Sequence, residues 1–216
     1  MDDLTLNLLV LAAVGLLIGA IFLMVKQRQA RTEQALIQFA AENGLKYEKM
    51  RAPLASGFRL DGPGWSLESV SRSSGQPTGE TGSSNIRLDT LWHAGLPGET
   101  LLIGERLSNA ALGSFGDMLM RQVLQMALGS EADGLQEIPT GSAEFRQKYM
   151  VFAKSPQAFQ PGPALEAALL NWRGPKPLIR RTADGLDIEI RGARLDKPAE
   201  LRALVNLGEQ ILASLA

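Results

Sequence analysis

The apolar and polar positions of this chain fall into two regimes. From Leu4 to Val25 there is no charge, and Thr5 and Asn7 are the only strongly polar side chains, so a helix here is apolar on every face. About twenty-two residues give roughly 33 Å of helix, against a hydrocarbon core of about 30 Å, which predicts a transmembrane helix over 4–25. Beyond Val25 the pattern turns periodic. Leu36, Phe39 and Ala40 repeat at helical spacing within a helix from Arg28 to Asn43, and Asn43-Gly44 is its stop signal.

Strand patterns follow. Leu45 to Lys49, Phe58 to Leu60 and Trp65 to Ser71 read as strands, the last two joined through the turn residues Asp61 to Gly64. Ser73 to Ser84 has no sizeable apolar side chain and is expected to be a loop. Ile86, Leu88, Thr90 and Trp92 alternate with Arg87 and Asp89, and Thr100 to Ile103 is a further apolar run, so both are expected in one sheet. Ser108 caps a predicted helix to Leu128, and residues 129–143, rich in Gly, Ser and Asp, mark an internal boundary.

The C-terminal stretch predicts a strand at Tyr149 to Ala153, a helix from Pro163 to Trp172, two strands, and a helix from Pro198 to Leu215. Asp184-Gly185 suits a type I′ hairpin turn, which sets Arg180 opposite Glu189 and Ile179 opposite Ile190, with Leu186, Ile188 and Ile190 on the inner face. The expected fold is therefore α+β: one N-terminal transmembrane helix, then a mostly antiparallel sheet domain with packed helices. Its expected parts are a short terminus 1–3, the span 4–25, a juxtamembrane helix 26–44, a first α+β half 45–128, a connector 129–147 and a second half 148–216.

Charge orients the expected span. The chain starts Met1-Asp2-Asp3 and places Lys26, Arg28 and Arg31 after the apolar run, which is the wrong way round for a cleaved export signal. Basic flanks stay in the cytoplasm, so the N-terminus is expected outside and the domain inside, with these three cations at the lipid surface. After residue 25, twenty-two basic residues face twenty-one acidic ones, a balance that argues against nucleic acid as a partner. No cysteine is present, which excludes disulfides and thiolate metal ligands.

Candidate chemistry is sparse. A serine or cysteine triad would need the single histidine, His93, as its base; Ser69, Ser71 and Ser114 are candidate nucleophiles, but none lies in a Gly-x-Ser-x-Gly elbow. Asp184, Asp187 and Glu189 form the tightest acidic group, explained by the turn and the solvent side of a hairpin. No Walker or dinucleotide motif occurs, so no catalytic, metal or cofactor residues and no cofactor are expected. Ala12, Gly15 and Gly19 form a small-residue stripe that would admit a second helix. Trp65, Trp92 and Trp172 are candidate partner contacts, since aromatic anchors concentrate interface energy, although core packing is their ordinary role.

Phe39 to Tyr47, Tyr149 to Pro156, Leu186 to Ile190 and Leu204 to Gly208 carry a resemblance. Together they look like uncharacterised single-pass, membrane-anchored bacterial proteins. The resemblance implies bacterial origin, placement in the inner (cytoplasmic) membrane and an α+β cytoplasmic domain, and it carries no catalytic residue. The expected function is a non-enzymatic, membrane-anchored interaction module, an accessory or assembly subunit of a larger membrane complex. Its expected partners are the bilayer, other membrane subunits and, through the first helix, another copy of itself. The alternative is a tethered sensory domain that holds a lipid or small ligand between the sheet and helix 108–128, against Met118 and Met126.

Overall fold

A computed structural model of the protein describes residues 3–78, 83–106, 125, 128–155, 157 and 159–215, with the side chains of the first helix described from Val14 on. The expected helix 108–128, with Met118, Met126 and Ser114, lies almost wholly outside these residues. The fold is α+β. Helix α1 (Asp3–Glu42) leads into strands β1 (Lys46–Ala52), β2 (Ala55–Gly62), β3 (Trp65–Thr78), β4 (Ser83–Ala94) and β5 (Leu101–Glu105). There follow β6 (Gln136–Glu137), α2 (Ala143–Lys148), β7 (Tyr149–Ala153), α3 (Pro163–Leu170), β8 (Pro177–Thr182), β9 (Gly185–Arg191) and α4 (Pro198–Leu215).

The nine strands among the described residues join one antiparallel sheet in the order β1-β2-β3-β4-β9-β8-β5-β7-β6. Strands from before and after residues 129–147 are thus interleaved. The central join is β4 to β9, which sets Trp92 opposite Ile188 and Ala94 opposite Leu186. Side chains alternate across the pleat, so Leu67, Trp92, Ile179, Leu186, Ile188 and Ile190 share an inner face and are buried there. Leu201, Leu204, Leu207 and Ile211 of α4 cover that face at helical spacing. A smaller cluster, Leu102, Leu128, Met150 and Phe152, lies on the opposite face of β5 and β7 under the segment 128–135.

The expected transmembrane span is not supported. No helix among the described residues is long and apolar enough to cross a membrane. Past Val25, α1 is polar and docks on the domain through Leu36, Phe39 and Ala40, each buried. With the span go the single-pass inner-membrane placement and the outward orientation of the N-terminus.

Two further expectations change. Strands β3 and β4 run into the stretch expected as a loop, pairing through Thr78 and Ser83, because a backbone ladder does not require buried side chains. The second hairpin is shifted by two residues: Thr182 pairs with Gly185, so Ala183 and Asp184 form the turn, Arg180 faces Asp187 and Ile179 faces Ile188. Gly185 belongs to the strand and lies close against β4. A Cβ there would lie 2.5 Å from the Ala94 carbonyl oxygen. An even shift preserves the face, so the inner residues are as expected.

Helix α4 lies close against the sheet at Gly208, where a Cβ would meet the Trp92 ring at 2.4 Å. Alanine raises helix propensity by up to about 1 kcal/mol, but overpacking of this kind costs about 1–3 kcal/mol. Gly208→Ala is therefore expected to lower the chemical-denaturation midpoint, and an unchanged or raised midpoint would show that helix and indole can separate freely.

Candidate functional site

A concavity of about 520 Å³ lies where the turn after α3 meets α4. Its α4 wall is the stripe Ala199, Ala203, Leu207 and Gln210, residues three or four apart and so on one side of the helix. Small side chains at Ala168, Ala199 and Ala203 leave the space open. Trp172 and Pro175 make the facing wall. The indole is held by its own turn: Nε1–H donates to the Pro175 carbonyl at 2.8 Å, and the ring lies so close to Gly174 that a Cβ there would meet it at 2.4 Å.

The cleft is braced from below. Leu195, part of its lining, belongs to the loop between β9 and α4 and is tied to the sheet by a buried polar pair. Ser69 and Thr90 face each other across β3 and β4 on the inner side. Ser69 Oγ–H donates to the Leu195 carbonyl at 2.8 Å, the Leu195 N–H donates to Thr90 Oγ1 at 3.0 Å, and Thr90 Oγ1–H donates to the Ala193 carbonyl at 3.1 Å. Two hydroxyls thus satisfy loop backbone that would otherwise be buried without partners. On the α3 side, the Tyr149 hydroxyl donates to the Leu169 carbonyl at 2.8 Å. Burial first, and Glu105 second, push the Tyr149 phenol up to about 12, so the hydroxyl keeps its proton.

The rim is polar. Glu200 accepts from Lys197 Nζ at 2.8 Å, while Arg173 has no ion pair or hydrogen bond among the described residues. Asn171, Asn206 and Gln210 add carboxamides. An apolar body with one charged edge is the shape such a site accepts.

The outer sheet face gathers the titratable groups. Ser66, His93, Asp187 and Arg180 stand in one row across β3, β4, β9 and β8. His93 Nδ1 lies 2.7 Å from Asp187 Oδ1, and Arg180 Nη2 donates to Asp187 Oδ2 at 2.5 Å. No hydrogen bond joins Ser66 to His93. Of the serines considered from sequence, Ser69 lies on the inner face and Ser71 shares its strand parity, so neither reaches His93. Ser66 is the serine opposite the imidazole, and only the β3–β4 register reveals it.

Beside this row is a shallower polar hollow of about 230 Å³, where Arg72, Arg87, Arg180 and Arg191 alternate with Glu68, Asp89 and Glu189. Asp89 lies 2.6 Å from Arg87 Nε, and Glu189 contacts Arg87 and Arg191. Opposite charges interleave, which gives the hollow no marked preference of sign. The acidic residues singled out from sequence divide accordingly: Asp184 is in the turn, while Asp187 and Glu189 serve these ion pairs. Among the described residues no group of three or more histidines and carboxylates is placed to hold a metal.

The sequence candidates are scattered. Trp65 and Trp92, at 6 % and 0 % exposure, stack on each other in the core with centroids 6.1 Å apart. Trp172 lines the cleft. Gly15 and Gly19 have open space where a Cβ would stand, on a stretch of α1 that also carries Ala12, and Lys26, Arg28 and Arg31 are exposed further along it. Sequence reasoning missed the cleft, because its two walls are set by the packing of α3 on α4. Comparison with protein families, curated proteins and solved structures finds no match to this chain.

This geometry predicts one accessible indole out of three. Trp172→Phe should remove most acrylamide-quenchable fluorescence and leave a residual emission quenched several-fold less; equal quenching of the remaining pair would place Trp65 or Trp92 at the surface.

Proposed function

We propose that this chain is an interaction module rather than an enzyme, an α+β domain brought into an assembly by the apolar arm Val14–Val25 of α1. An accessory or assembly subunit of a larger complex is the role that fits. The observation that carries this reading is the exposure of nine large apolar side chains along the arm, from 47 % at Val14 to 77 % at Leu16. Each gains about 1.5–3 kcal/mol on full burial, so a stretch of this kind is a strong driver of association.

The first occupant of that surface is the arm of a second copy. Acidic Asp3 stands at the start of α1, ahead of the arm, and Lys26 and Arg28 follow directly after it. Two antiparallel arms that cross near Gly15 bring Asp3 of one level with Lys26 of the other, and their helix dipoles also oppose favourably. Parallel arms would instead set like charges side by side. Gly15 and Gly19 leave room at the crossing for close approach.

Sedimentation of the purified full-length chain tests the reading. The wild type is expected as a dimer or larger species at micromolar concentration, and Leu16→Lys combined with Leu23→Lys as a monomer with an unchanged domain melting transition. A monomeric wild type, or a double variant that still associates, would overturn it.

A further inference from the structure

We infer that the cleft between the turn after α3 and α4 is a binding site for a small amphipathic carboxylate, a compact apolar body with one anionic end. This inference is independent of the arm. Its volume, about 520 Å³, is within the roughly 300–1,000 Å³ typical of small-molecule sites. The body of the ligand would lie on the indole of Trp172, fixed by its bond to Pro175, against Leu207 and the alanine stripe of α4.

The sign of the ligand follows from the rim. Glu200 is neutralised by Lys197, whereas the Arg173 guanidinium has no partner among the described residues. Two helix ends also meet the cleft, the C-terminus of α3 and the first turn of α4. Their dipoles favour opposite charges and largely cancel, so the full charge of Arg173 decides. A guanidinium also matches a carboxylate through two parallel N–H donors. Asn206 and Gln210 provide neutral groups that tolerate the edge of the body.

The test uses octanoate, octanol and octylammonium as probes of the full-length chain, all below their aggregation concentrations. The readout is the indole Nε1–H resonance of Trp172, identified by its loss in Trp172→Phe. Octanoate is expected to shift that resonance saturably and to bind about three- to tenfold more tightly than octanol, with octylammonium weakest. In Arg173→Gln the advantage of octanoate over octanol should vanish, while the amide spectrum keeps its dispersion. No saturable shift, equal affinities for the three probes, or an Arg173→Gln variant that still prefers octanoate would each overturn the assignment.

Discussion

The pairing of β4 with β9 is the constraint on which the rest of this structure depends. Asp89 to Ala94 and Leu186 to Arg191 are about a hundred residues apart in the chain, and closing so long a loop has an entropic cost. Burial offsets it. Trp92, Ala94, Leu186, Ile188 and Ile190 come together on one face, where α4 covers them, and Gly208 lets the helix settle onto the Trp92 ring. On the other face the same register sets His93 beside Asp187 and Arg87 within reach of Glu189. One set of ladder bonds thus arranges an apolar interior and an ion-paired exterior.

The cleft is a consequence of that arrangement. Leu195 is where it is because Ser69 and Thr90, facing inward from β3 and β4, hold the loop that follows β9. Polar residues on an inner face are costly unless bonded, and here their bonds fix the approach of α4 and therefore the cleft wall. Tyr149 does the same for the end of α3. Leu195 and Leu207 serve both the core and the cleft wall, whereas the apolar side chains of Val14–Val25 are exposed and stand apart from the core.

Much of the fold is legible from residue pattern alone. The bounds of α4, the inner face of β9 and the docking residues Leu36, Phe39 and Ala40 follow from periodicity, because burial on one side leaves a regular trace. What pattern could not supply was pairing between distant segments. Nothing local says that β9 lies beside β4, so the Ser66 to Arg180 row and the walls of the cleft were hidden. Gly185 illustrates the limit: beside an aspartate it reads as a turn residue, yet it is the first residue of β9, close against the Ala94 carbonyl, and the turn is Ala183-Asp184. The apolar start misled differently. Its composition suggested a span, whereas no helix among the described residues is long and apolar enough to cross a membrane, and α1 continues past Val25 as a polar helix docked on the domain.

The most direct test of this architecture exploits the absence of native cysteine. Leu91 and Glu189 are directly opposite one another on the outer face of β4 and β9. A Leu91→Cys, Glu189→Cys double variant should close a disulfide on mild oxidation, since opposed antiparallel positions are about 4.5–5.5 Å apart at Cα. The offset pair Leu91→Cys, Arg191→Cys should crosslink far more slowly. Comparable rates for the two pairs, or faster closure of the offset one, would contradict the β4 to β9 register and with it the sheet that builds the cleft.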